Sequence, residues 1–398
     1  MYKNKIKQCK GKNDKAPVAQ YRPYVQQFVR TKKLDIDGDF KSICLIKCGG
    51  KYYDLFNLPK DKKLVLHGNL NLEDMGLTEL PDLSNLVVEG YFNCRKNKLA
   101  NLLGAPAMVL GDFYADNNEL VTLQGLSKGI SSLYCKNNRL TSLRYVPEVI
   151  RDLYCENNYL RNFNGAPKRV KGILNANLNP LVSFDGFPDK VEGMFHAINT
   201  DLEAFENIAG RMKSSVFIYN PKKGFFIVKQ KGKLLDLTKQ PEGFVYNGFI
   251  DVSDCKLQKL PDLSHIIVKE DFYCENNLLT SFVGSPKEVE GIYIGNDNPV
   301  TSLEGLPGKI GCQLDLMGCP ELVTLKGMSK EIGECLNLYE CPKLDNLDYL
   351  PQKGCAVMRI DRRLIDKYHI ESGATLNDVK KAVAEYNAGL RAGANTRD

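Results

Sequence analysis

Histidine is scarce in this chain: His67, His196, His265 and His369 are the four, and no two stand at HExxH or related spacing. A metal centre built on paired imidazoles is therefore not expected. No run of eighteen apolar residues occurs either, which excludes a helix that spans a membrane. The start, MYKNKIKQCKGKNDK, is basic but has no apolar stretch behind it. A secretory leader is thus not expected, and the reading is a cytoplasmic protein. The glycine-rich phosphate loop, the GxSxG nucleophile turn and a GxGxxG between strand and helix are likewise missing. Neither a cofactor nor a metal is predicted.

With 43% hydrophobic and 26% charged residues, the 398-residue chain can bury a large core. Its thirteen cysteines are odd in number and nothing routes them to an oxidising compartment, so they are read as reduced thiols. The net charge of +6 is unevenly placed: residues 1–33 hold ten Lys or Arg against Asp14, which is +9 and leaves −3 for the rest. Positive charge therefore marks an N-terminal arm, carried by Lys3, Lys5, Lys7, Lys10, Lys12 and Lys15. Two readings stand for it: a solvated tail, or an attachment to an acidic protein surface or to nucleic acid through residues 1–33. The stretch YRPYVQQFVR that follows reads as a short helix or a docking segment.

The dominant signal is internal repetition. Residues 131–144, SSLYCKNNRLTSLR, and 151–163, RDLYCENNYLRNF, repeat LYCxNNxL twenty positions apart. With the leucine that closes NNxL as anchor, Leu77, Leu99, Leu120, Leu140, Leu160, Leu181 and Leu202 follow at steps of 22, 21, 20, 20, 21 and 21. A second series, Leu257, Leu279, Val300, Leu322 and Leu344, has steps of 22, 21, 22 and 22. Apolar residues recur seven before each anchor (Phe92, Phe113, Leu133, Leu153) and three after it (Leu102, Leu123, Leu143, Phe163). Such periods indicate a solenoid.

The pattern LxCxxNxLxxLxGxP resembles the leucine-rich repeat over roughly residues 64–355. Its short period and its GAP and GLP return segments are most similar to the compact bacterial and bacteriophage class. The resemblance implies parallel short strands on a concave face, irregular or 3-10 returns on the convex face, and protein recognition. LTELPDLSNLVVEGYFNCRKNKL at 77–99 aligns with LQKLPDLSHIIVKEDFYCENNLL at 257–279, and CLIKCGGKYYDL at 44–55 with FIVKQKGKLLDL at 226–237. Two tandem arrays follow, each opened by a hairpin-like cap at GG or KG. The expected organisation is an arm at 1–40, arrays at 41–208 and 209–355, and a C-terminal segment at 356–398. In that segment Thr375 and Asp378 predict a capping box and a helix over 376–390, with Gly389 and Gly393 marking its end.

Stacked repeats turn each repeat position into a column with one chemical environment. Five before the anchor, Cys94, Cys135, Cys155 and Cys274 alternate with Ala115, Ala176 and Ala197. A slot shared with alanine is a core slot, and free cysteine packs as a small apolar group; the rival reading, a redox or metal pair at Cys135 and Cys155, lacks a histidine column. Two before the anchor, Asn97, Asn118, Asn138, Asn158, Asn179, Asn277 and Asn298 are predicted to satisfy backbone groups at the bend. Six before it, Tyr114, Tyr134, Tyr154, Asn175, His196 and Tyr273 are expected to point outward from the strands, flanked four before the anchor by Arg95, Asp116, Lys136 and Glu156. Aromatic residues there either cover a sheet for which they have propensity or form a rigid contact strip for a protein partner.

The function expected is non-enzymatic protein recognition by the concave face, because the segment after Pro351 is short for a catalytic domain. Two alternatives go with the resemblance: a structural component of a bacteriophage particle, held by the basic arm in the host cytoplasm or the virion, and a secreted effector-like protein.

Overall fold

The computed structural model describes residues 5–6, 22–32, 35–36, 44–371 and 374–394. The chain divides into two compact units, 1–195 with 202–214, and 196–201 with 215–398. In each unit the repeats coil into a parallel β-solenoid of the leucine-rich type, as the anchor spacing predicts.

In the first unit one ladder joins Leu70–Asn71, Phe92–Asn93, Phe113–Tyr114, Leu133–Tyr134, Leu153–Tyr154 and Leu174–Asn175, all parallel and in register. The strands are this short because every turn bends at its asparagine. The first residue of each pair faces the core and is fully buried, and so are the anchors from Leu99 to Leu202. The return segments add a second set of parallel strands: Leu64–Leu66, Leu86–Val88 and Met108–Val109 in one ladder, Val149–Ile150, Arg169–Val170 and Lys190–Val191 in another. Apolar Val88, Val109, Ile150, Val170 and Val191 point inward from these returns.

The second unit repeats the plan. One six-strand ladder runs from Ile250–Asp251 to Val357–Ile360, and another from Phe244–Tyr246 to Lys353–Gly354. The caps are the antiparallel hairpins that the GG and KG dipeptides signal. Leu45–Cys48 pairs with Lys51–Asp54, and Phe225–Gln230 with Lys233–Asp236. Both turns hold two consecutive positive φ angles, Gly49 and Gly50 at 54° and 77°, Lys231 and Gly232 at 49° and 78°. That is the requirement of the two-residue turn whose twist matches a hairpin. An antiparallel strand absent from the sequence reading, Val216–Asn220, also pairs with Phe225–Gln230.

The asparagine column is a hydrogen-bonded spine. Asn138 Oδ1 accepts the Leu120 N–H at 3.1 Å, and Nδ2 donates to the carbonyls of Ala115, Cys135 and Lys136 at 3.0, 3.0 and 3.2 Å. Asn118, Asn158, Asn179 and Asn298 make the same set of contacts one turn back and within their own turn. Where the last repeats lack this asparagine, Cys319 and Cys341 donate to Gly295 O and Leu316 O of the preceding turn instead. The other asparagine of the NN doublet has a separate role. Asn117, Asn137 and Asn157 sit at φ of 56°, 55° and 54°, a left-handed conformation that asparagine tolerates. Their amides form a second, outer chain, Asn157 Nδ2 to Asn137 Oδ1 at 2.7 Å and Asn137 Nδ2 to Asn117 Oδ1 at 2.9 Å.

Cys94, Cys135, Cys155 and Cys274 are fully buried, and burial pushes their thiols well above the ordinary range. Cys94, Cys135 and Cys155 donate to the carbonyl of the next turn at 3.3 to 3.4 Å.

The C-terminal helix starts as predicted, with Thr375 N–H on Asp378 Oδ2 at 2.9 Å and Asp378 N–H on Thr375 Oγ1 at 3.3 Å. Its end differs: the helix is Leu376–Ala394 and runs through Gly389 and Gly393. A single exposed glycine among alanines and leucine costs only about 1 kcal/mol, less than is needed to end a helix. Leu376, Val379 and Val383 are buried and Tyr386 packs edge-on against Tyr368 at 5.0 Å. Tyr368 closes a short helix, Arg362–Tyr368, that the sequence reading did not anticipate. At the other end of the chain, Arg22–Thr31 is helical, with Tyr24 and Phe28 exposed.

Candidate partner-binding face

In-register parallel strands place equivalent residues about 4.8 Å apart, within the range of about 4.5 to 7 Å at which the centroids of offset-stacked rings lie. Tyr114 pairs with Tyr134 and Tyr134 with Tyr154 along the first ladder. Their rings stack with centroids 4.6 Å apart at 23° and 4.7 Å apart at 8°. Tyr91 meets the edge of Tyr114 at 5.7 Å, and the Arg95 guanidinium lies over the Tyr114 face at 4.8 Å. The result is a half-buried strip running Arg95, Tyr114, Tyr134, Tyr154.

Charged residues fix both sides of the strip. On one side Arg95 pairs with Asp116 at 3.8 Å and Lys136 with Glu156 at 4.0 Å. Asp116 is buried and also accepts the Lys136 N–H at 3.0 Å; burial nevertheless raises its carboxyl above the usual range. On the hydroxyl side Tyr114 donates to Asp112 Oδ2 at 3.4 Å. Arg151 spans the strip there, donating to both Asp112 oxygens at 3.1 and 3.3 Å and to Asp152 at 2.8 Å. Asp112, Arg151 and Asp152 were missed by the sequence reading. Asp112 and Asp152 stand two residues before a tyrosine, so strand alternation puts them on its face, and GDFY and RDLY carried that signal. Burial, then the neighbouring phenols and carboxylates, pushes the Tyr134 phenol up to about 12. The strip therefore presents neutral phenols at physiological pH.

Two other expected members lie elsewhere. His196 belongs to the second unit, is 7% exposed and packs on Phe217 at 5.1 Å, so it is no surface residue. The strand that holds Phe217, Val216–Asn220, lies beside the His196 strand in the same sheet, and burial lowers the imidazole pKa. Tyr273, also in the second unit, has Asp251 and Ile294 as register neighbours instead of tyrosines. Its hydroxyl donates to Asp271 at 2.8 Å and its ring meets Phe249 edge-on at 6.3 Å. In the basic arm, Lys3, Lys7, Lys10, Lys12 and Lys15 lie outside the described residues. Lys5 is described only in the two-residue strand Lys5–Ile6, parallel to Asp35–Ile36.

No protein-family profile matches the chain, and no curated protein matches it. Among solved structures it is similar to YopM from Yersinia enterocolitica WA-314, at 20% identity and a TM-score of 0.29, over 74% of this chain and 72% of that one. Among the described residues no group of three or more His, Cys, Asp or Glu is placed to hold a metal ion, and no helix is long and apolar enough to cross a membrane.

Proposed function

We propose that the chain is a non-enzymatic protein-recognition module that binds its partner on the tyrosine strip of the first unit. The observation that carries this reading is the stack of Tyr114, Tyr134 and Tyr154, held rigid by strand register and by the Arg95 and Arg151 clamps. Rigid aromatic rings with hydroxyl donors give contact area at little cost in side-chain entropy, the composition of interface hot spots. A solenoid built by stacking short repeats supplies an extended surface for such contacts. The cysteines support a role without catalysis: every described thiol with a resolved shift moves upward, away from the thiolate that a nucleophile requires.

Affinity capture from the native source tests the reading, with the full chain beside a Tyr134→Ser, Tyr154→Ser variant and a version without residues 1–33. The variant is expected to lose the captured protein, by at least about tenfold in yield, with a nearly unchanged melting temperature. Loss on removing residues 1–33 alone, with the tyrosine variant unaffected, would move recognition to the arm.

A further inference from the structure

The edge of the first unit that follows the asparagine bend carries two neighbouring depressions of different chemistry. One, of about 410 Å³, is lined by Thr141, Arg144, Tyr159 and Arg161. Elsewhere on these turns cations are paired: Arg139 with Glu119 at 3.3 Å, Lys168 with Glu148 at 2.8 Å, Arg151 of the tyrosine strip with Asp112 at 3.1 Å, and Arg169 with Glu192. The Arg144 and Arg161 guanidiniums, by contrast, meet no carboxylate within 4.0 Å among the described residues, and both residues are exposed. Two aromatic rings stand beside them. Tyr159 is 58% exposed, and so is Tyr145, which follows Arg144. Tyr145 is held at φ 78° in a column where the neighbouring turns place Gly125 and Gly165. Strain of that kind in an exposed aromatic residue points toward a role at the surface.

The second depression, of about 480 Å³, lies on the next turns and is lined by Val182, Phe184, Asp185, Glu203, Phe205 and Ile208. It exists because a core column opens here. Leu102, Leu123, Leu143 and Phe163, three residues after their anchors, are closed off, whereas Phe184 and Phe205 at the same position are only half-buried. The floor is apolar, and the rim carries the carboxylates of Asp185 and Glu203 and the guanidinium of Arg211, which donates to Phe187 O at 3.3 Å.

We propose that this edge binds an extended, acidic segment of a protein partner: one Asp or Glu side chain on Arg144 and Arg161, and one aromatic or aliphatic side chain in the cavity over Phe184 and Phe205. The two depressions are centred about two turns apart, about 10 Å, which an extended chain covers in about three residues. The charges also set the direction. Arg144 and Arg161 give the first depression +2, whereas Asp185 and Glu203 outweigh Arg211 to leave the second at −1, so an acid is favoured at the arginine end and the reversed orientation is disfavoured. The guanidinium fork suits a carboxylate better than a lysine ammonium does. This surface is separate from the tyrosine strip and does not depend on it.

A displayed random-peptide library selected on the full-length protein tests the proposal. Enriched sequences are expected to carry Asp or Glu about three residues from Phe, Tyr, Leu or Ile. A synthetic peptide with the leading sequence should bind an Arg144→Glu, Arg161→Glu variant at least about tenfold more weakly, and weaken with added salt. An Arg144→Gln, Arg161→Gln variant of unchanged melting temperature should show an intermediate loss. Three results would overturn it: no enrichment of acids, equal binding to the charge-reversed protein, or labelled oligo(dT) as the only ligand lost on reversal.

Discussion

Replacing Asn138 by leucine is expected to destabilise the first unit by about 3 to 5 kcal/mol: about 1 to 3 kcal/mol for stranding the buried Leu120 N–H and about 1 kcal/mol for each bond lost to the Ala115 and Cys135 carbonyls. The amide is buried and serves one N–H and three carbonyls from two successive turns. Leucine fills much of the volume but leaves the Leu120 N–H without a partner, and it leaves the Ala115 and Cys135 carbonyls with only the Asn118 and Asn158 amides, at 3.1 Å each. Chemical denaturation should show the loss as a lower midpoint with unfolding of the unit as a whole, since each turn is stable only through its neighbours. Asn138→Asp separates the amide's two halves. A carboxylate keeps the acceptor but turns its second oxygen toward three carbonyls, so burial and those dipoles raise its folded pKa above the unfolded value. The folded state then takes up a proton on folding, and stability rises as pH falls through that folded pKa. At neutral pH Asn138→Asp should be at least as damaging as Asn138→Leu, and near pH 4 it should recover part of the loss.

The second large effect is predicted at Gly305. Its φ is +92°, and a Cβ there would lie 2.2 Å from Val283 N and 2.4 Å from Phe282 C. These are backbone atoms of the previous turn, pinned by the Phe282 N–H to Glu304 O bond at 3.0 Å. Gly305→Ala must therefore push two turns apart as well as strain its own backbone, and a loss of about 3 kcal/mol or more is expected in the second unit. Gly308→Ala is the internal control: its nearest contact is Lys287 O at 3.9 Å, and it should change stability by less than about 1 kcal/mol. Equal losses at the two glycines in a urea titration would show that turn-to-turn contact is not what closes this column.

Much of this was legible because repetition samples the same environment many times. A position that alternates cysteine with alanine has to be small and apolar, and one that holds asparagine in seven turns has to serve the backbone. Both columns are buried as read. The GG and KG dipeptides located the hairpins because only a few residues accept two positive φ angles in succession. Legibility failed where a single copy leaves the pattern. His196 occupies the tyrosine column by count, but the next strand of its sheet lies outside the repeat and packs Phe217 against it. Phe184 and Phe205 read as core like the other residues three after an anchor, and only the folded turns show that the column opens there. The outer asparagine of each NN doublet was visible, yet its left-handed φ follows from the bend and not from hydropathy. Likewise the helix passes Gly389 because glycine weakens a helix without forbidding it.

The tyrosine strip is the central claim, and a photoreactive residue tests it at one side chain. Benzoylphenylalanine in place of Tyr134 keeps an aromatic ring in the stack; in place of Val149, exposed on the return ladder, it reports the opposite strands. After irradiation in extract from the native source, the strip account predicts a discrete cross-linked protein from position 134 and none from position 149. A cross-link from 149 with position 134 silent would contradict it.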